Sequence, residues 1–118
     1  MIAKRYEDLE IYRKSYELAM NVHDMTLQLS KYELYEEGGQ IRRASKSIAA
    51  NIVEGFGRRR HKKECIKFVS YAYASCLETK VHLNFIYDSG YITKEKFDQY
   101  FKEYDSLGRK IYNFIENF

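Results

Sequence analysis

The residues in this chain best suited to bind something are cationic and adjacent. Arg58, Arg59, Arg60, His61, Lys62 and Lys63 follow one another with no acid between them, and Lys67 comes one helical turn later. Arg42, Arg43 and Lys46 add charge upstream. Like charges this close repel one another and cost stability. Contact with phosphate offsets that cost, and the planar Arg fork suits phosphate particularly well. An ordinary solvated turn would also tolerate a short basic run. The cluster therefore reads as a candidate contact with RNA or DNA backbone.

A second set is polar and periodic. Gln40, Arg43, Ser47, Asn51 and Glu54 are spaced by three and four, which places them on one flank of a helix. They read in two ways. One is a hydrogen-bonded seam that fixes the register of two helices, because buried polar groups usually satisfy one another. The other is a site in which Glu54 acts as a base or a ligand. The seam is the favoured reading of Gln40, Ser47, Asn51 and Glu54.

Catalytic and metal chemistry find little support. Di-iron bundles use a Glu and a His three apart on inward faces. Here Glu78 and His82 are four apart, and no Glu has a His three residues later. His23 and His82 lie among apolar positions and read as core or interface residues. Neither Cys65 nor Cys76 belongs to a C-x-x-C pair, and eleven residues of helix, ~16 Å, separate them. That is too far for a disulfide within the chain. They read as small buried hydrophobes in a reducing cytoplasm. No nucleophile elbow, phosphate-cradling glycine loop or Ser, His and Asp set is recognisable. The expectation is a non-enzymatic protein with no metal and no cofactor.

Four helices are predicted to position these groups. The first carries a solvated stripe, Glu10, Lys14, Glu17, Asn21, Asp24 and Gln28, beside a wide apolar face that includes Leu18, Val22 and Met25. Asp8 is its expected N-cap. A polar connection from Ser30 follows, broken at Gly38-Gly39. The second helix, about 40–56, has the core stripe Ile41, Ala44, Ile48, Ile52 and Phe56, with many small residues between. The third, about 62–88, has the core positions Cys65, Val69, Ala72, Cys76, Thr79, Leu83 and Ile86. Its opposite face reads Lys67, Tyr71, Ala74, Glu78, Val81 and Phe85, with the apolar row Tyr71, Ala74, Val81 and Phe85. A helix apolar on two sides is buried on two sides, so this row is an expected oligomer interface. Gly90 ends that helix, and Thr93 caps the last one, whose apolar face is Phe97, Phe101, Tyr104, Gly108, Ile111, Ile115 and Phe118. Short connections make neighbouring helices antiparallel. The predicted fold is all-α, an up-down-up-down four-helix bundle over residues 1–118 as a single domain.

Composition agrees. The 118 residues are 45% hydrophobic and 31% charged, in the range of folded globular chains. Pro is absent, which permits long helices, and 12 Tyr and 7 Phe are enough to fill a core and leave some at the surface. Net charge is +3, compatible with nucleic acid but less telling than its uneven distribution. No apolar run reaches the ~20 residues of a transmembrane helix, and the N-terminal residues Met1 to Asp8 carry no apolar secretory segment. The expected location is cytoplasmic.

The stretch from Gln40 to Arg58 adds a resemblance. The pattern at Gln40, Arg43, Ala44, Ser47, Ile48, Asn51, Ile52, Glu54, Gly55 and Phe56 resembles bacterial four-helix-bundle proteins encoded in intervening sequences of 23S ribosomal RNA genes, often labelled S23 ribosomal proteins. Asp8-Leu9, Phe68, Ser75 to Glu78, and Gly90 to Ile92 also fit, so the resemblance spans nearly the whole chain. Two places depart from it. Ser30 stands where the family usually has Pro, and Glu36, Glu37 and Gly38 replace a Gly-Leu-Thr opening, which bears on the first loop and the start of the second helix. The resemblance implies a non-enzymatic bundle. A relative, the accessory variability determinant protein of diversity-generating retroelements, forms a five-fold barrel that binds nucleic acid and a reverse transcriptase. By that resemblance the expected assembly is a homo-oligomer, a pentamer, with RNA or DNA as partner. The competing expectation is a protein-interaction scaffold or accessory subunit that binds no nucleic acid itself.

Overall fold

With no proline anywhere in the sequence, every residue can donate to the backbone ladder of a long helix, and the chain uses that freedom. A computed structural model describes residues 3–118; Met1 and Ile2, where the N-terminal reading begins, lie outside the described residues. A single 3-10 turn, Tyr6–Asp8, leads into α1 (Glu10–Thr26). A short α2 (Lys31–Tyr35) precedes α3 (Glu37–Gly57), α4 (Lys62–Asp88) and α5 (Lys94–Glu116). The four long helices form an up-down-up-down bundle, 45 × 22 × 20 Å, in the order α1, α3, α4, α5. The α3–α4 contact is the most extensive, and α5 closes against α1.

The apolar stripes meet along the bundle axis. Leu18, Val22, Ile41, Ile48, Ile52, Leu83, Ile86, Tyr104, Leu107 and Ile111 are fully buried. Every predicted core position of α3 and α4 is buried. On α5 the buried face is Tyr104, Leu107, Gly108 and Ile111. Phe97, Phe101, Ile115 and Phe118 are only partly covered and pack at the edge of the core.

Three local expectations differ from the structure. Asp8 does not cap α1: Leu9 is the N-cap, with no side-chain bond, and the Asp8 carboxylate instead accepts from the Arg5 N–H at 3.3 Å. The segment after Ser30 is not wholly irregular, since α2 forms within it. Nor is Gly38-Gly39 a break, because both glycines are buried inside α3. The interruption falls at Glu36 (φ −82°, ψ −97°). A Cβ on Gly38 would lie 2.9 Å from the Glu33 carbonyl oxygen, so glycine serves there for close packing. Arg42 fastens this corner: its guanidinium donates to Thr26 Oγ1 at 2.8 Å and to the Leu34 carbonyl at 2.9 Å. At the other connection Gly90 has φ +82°, left-handed as a helix stop requires. Thr93 caps α5 as expected, its Oγ1 accepting from the Lys96 N–H at 3.1 Å.

The polar flank of α3 is partly a seam. Ser47 and Ser75 share a hydroxyl–hydroxyl bond of 2.9 Å between α3 and α4. Asn51 Nδ2 donates to the Ser47 carbonyl and hydroxyl, at 2.9 and 3.0 Å. Gln40, Arg43 and Glu54 are exposed and stand outside it. About two turns farther along α4 from Ser75, His82 lies between two carboxylates, 2.8 Å from Glu37 and 3.3 Å from Glu78.

Two outcomes follow from this packing. A Cβ on Gly55 would lie 2.8 Å from Val69 Cγ2 and 3.0 Å from the Cys65 carbonyl, whereas Gly57 has open space. Gly55→Ala should therefore lose about 1–3 kcal/mol through overpacking, despite a helix-propensity gain of up to ~1 kcal/mol. Gly57→Ala should be neutral or stabilising, and urea unfolding of the two variants compares them. Asn51→Ala removes half-buried bonds and should destabilise by about 1 kcal/mol. An unchanged midpoint for Asn51→Ala would show that the seam carries no stability.

Candidate nucleic-acid interface

The basic run occupies the turn between α3 and α4, at one end of the bundle. Arg58 is the C-cap of α3, and His61, in extended conformation, is the N-cap of α4. Arg58 to Lys63 are all exposed. Two of the arginines are held over aromatic rings. The Arg58 guanidinium lies 4.6 Å from the Phe68 centroid, and its Nε faces Glu54 at 3.4 Å. The Arg59 guanidinium lies 4.0 Å from the Phe56 centroid, and its Nη1 donates to the Phe56 carbonyl at 3.1 Å. Lys67 is 5.7 Å from the same Phe68 ring and 4.0 Å from Glu64. Exposed pairs of this kind neutralise little of the local field.

The helix dipoles act in opposite senses here: Arg58, at the C-cap of α3, is favourably placed, and the two lysines that open α4 are not. Lys62 and Lys63 stand in the first turn of α4, where the helix dipole disfavours cations. The turn carries five formal positive charges, more than the whole-chain net of +3, so the remaining residues are net negative. The antiparallel topology also brings Lys4 and Arg5, which precede α1, to this end of the bundle. Sequence reasoning missed them, because they share that end only once α1 and α3 are known to run in opposite directions; Arg5 is paired there with Glu7 at 3.1 Å.

The other predicted cations are elsewhere. Arg42 is committed to Thr26 and Leu34. Arg43 and Lys46 are exposed but lie ~18–22 Å up α3 from Arg58. Lys46 instead lines a groove of about 470 Å³ between α1 and α3, with Tyr12, Tyr16, Met20, Ala50 and Val53.

The outer face of α4 carries the expected apolar row. Tyr71, Val81 and Phe85 are about half exposed, Ala74 is exposed, and Leu77, absent from the predicted row, joins them. On the α4–α5 side a groove of about 430 Å³ holds Tyr73, Lys80, Asp105, Arg109 and Tyr112. Lys80 and Arg109 both pair with Asp105 there and hold its carboxyl below the usual range. Cys76 lies beneath this groove, with its thiol pushed up to about 11 by burial, far from a reactive thiolate. The His82 ring is engaged by Glu37 and Glu78 on two helices. Among the described residues no three His, Cys, Asp or Glu side chains converge as a metal site, and no helix is long and apolar enough to cross a membrane.

Comparison with known proteins places this arrangement in context. No curated protein matches the chain. A crystal structure of a protein with unknown function from the S23 ribosomal protein family of Bacteroides thetaiotaomicron has the same fold. It superposes with a TM-score of 0.77 at 23% identity, over 89% of this chain and 97% of that one. The family model for 23S rRNA-intervening sequence proteins matches residues 7–113, which spans α1, α3, α4, the basic turn and most of α5. The chain therefore belongs to the family of 23S rRNA-intervening sequence proteins.

Proposed function

We propose that this protein is a non-catalytic helical bundle that binds nucleic acid through phosphate contacts at the α3–α4 turn. The observation that carries this reading is the exposed, acid-free cluster Arg58 to Lys63 at one end of the bundle. Its charges repel one another, Lys62 and Lys63 also oppose the α4 dipole, and a polyanion relieves both penalties. The family name, with its reference to 23S ribosomal RNA genes, agrees with the reading without defining a target. Backbone contacts of this type are insensitive to sequence.

Titration of a structured RNA and a duplex DNA at two ionic strengths tests the proposal. On duplex DNA the logarithm of the affinity should fall with the logarithm of salt by about 0.9 for each phosphate neutralised. The triple variant Arg60→Ala, Lys62→Ala, Lys63→Ala should flatten that slope by roughly 2–3. Absence of binding at low salt overturns the proposal.

A second reading, self-association, is favoured by the row Tyr71, Ala74, Leu77, Val81 and Phe85. Single exposed apolar residues are common, but a row along several turns is an interaction surface. A ring would form if the row met a different patch on the neighbour, and the α1–α3 groove is such a patch. Sedimentation at tens of micromolar should give an oligomer, and the double variant Tyr71→Glu, Phe85→Glu should dissociate it. A monomeric native protein overturns this second reading.

A further inference from the structure

We infer that the α3–α4 turn recognises unpaired nucleotides, with bases stacking on the outer faces of the Arg58 and Arg59 guanidinium planes. Arg60, Lys62 and Lys63 hold the adjoining phosphates. The inference rests on the reading of this turn as a nucleic-acid interface, and it narrows the ligand to single-stranded segments.

The five cations of the turn are of two kinds. Arg60, Lys62 and Lys63 form no ion pair among the described residues and behave as exposed point charges. Arg58 and Arg59 each lie over an aromatic ring and make one further polar contact. Each has its inner face covered by a phenyl ring, at 4.6 Å for Arg58 on Phe68 and 4.0 Å for Arg59 on Phe56. The polar contact is with Glu54 for Arg58 and with the Phe56 carbonyl for Arg59. The supporting rings are themselves anchored. Phe56 is 7% exposed within the core, and Phe68 meets the Tyr71 ring edge-to-face at 5.5 Å.

Both arginines are exposed, so the side of each guanidinium away from its ring is open to a ligand. Charge alone does not require the arrangement, since lysine would supply it. A delocalised plane is what a nucleobase stacks on, and orienting the plane over a ring in advance lowers the entropy lost on binding. Bases inside a duplex are already stacked on their neighbours, whereas unpaired bases have free faces to offer. The two stacked planes beside three free charges thus match a short flexible strand, with bases on the planes and phosphates on the charges.

Fluorescence anisotropy with three probes of equal phosphate count tests this: an unstructured mixed-sequence strand, an abasic strand and a hairpin duplex. The intact strand should bind about fivefold or more tighter than the abasic one, the lower end of what stacking one base contributes. The double variant Arg58→Lys, Arg59→Lys keeps every charge and removes both planes. It should bind the intact and abasic strands equally, with the salt dependence unchanged. Its melting curve should match the native one closely, because both side chains are exposed. Equal native affinity for intact and abasic strands overturns the inference alone, as does a lysine variant that still discriminates. Failure of the native protein to bind any probe at low salt overturns the underlying nucleic-acid reading and the inference together.

Discussion

At Gly55, α3 lies so near α4 that the Cys65 carbonyl and the Val69 side chain fill the space a Cβ would need. That close approach sets the geometry of the whole α3–α4 hairpin. Small residues continue along the contact, among them Ala44, Ser47, Ala72 and Ser75, so two backbones lie near each other over many turns. With the helices this close, the four residues from Arg58 to His61 suffice to reverse the chain. The short turn crowds the basic residues together and sets Phe56 and Phe68 beneath two of them. Packing inside the bundle thus determines the charge arrangement outside it.

Buried polar groups in this core mostly look after themselves. The hydroxyls of Ser15, Thr26, Ser45 and Thr79 each donate to a carbonyl three or four residues back on their own helix. Such bonds satisfy the group and carry no information about the neighbouring helix. Lateral specificity comes from bonds that cross between elements, among them Arg42 to Thr26 and Leu34, Ser47 to Ser75, His82 to Glu37, Cys76 to the Tyr104 carbonyl and Lys80 to Asp105. Tyr104 is an exception. It is fully buried, its hydroxyl lies beside Ser45 without meeting hydrogen-bond geometry, and burial pushes its phenol well above the usual range. The ring earns its place by volume, as the largest fully buried side chain in the bundle.

The bundle was legible in the sequence because its apolar positions recur at helical spacing without competing signals. The α3 and α4 core stripes could be named residue by residue. Less legible were features that depend on what lies across from a residue. Gly38 and Gly39 look like a break until the Glu33 carbonyl is known to press on Gly38. Arg42 looks like a surface cation until Thr26 and Leu34 are brought beside it. Gln40 and Glu54 share the flank of Ser47 and Asn51, but the register of α4 places a hydrogen-bonding partner only at Ser75. The basic turn was evident as a run of charge. Its two ring-supported planes were not, because Phe56 and Phe68 reach it only through the hairpin.

The two cysteines have a practical consequence. Cys65 and Cys76 are both fully buried, and burial raises both thiols above the ordinary range, so alkylating reagents and mild oxidants find almost no thiolate in the closed bundle. Each thiol faces a different neighbour. Cys65 lies under the α3 terminus beside Gly55, and Cys76 donates to the Tyr104 carbonyl of α5 at 3.3 Å. Modification must wait for the structure to open, and it marks the side from which α4 was uncovered. The chain thus carries two internal clocks for its own breathing, one for the separation of α3 and one for the departure of α5.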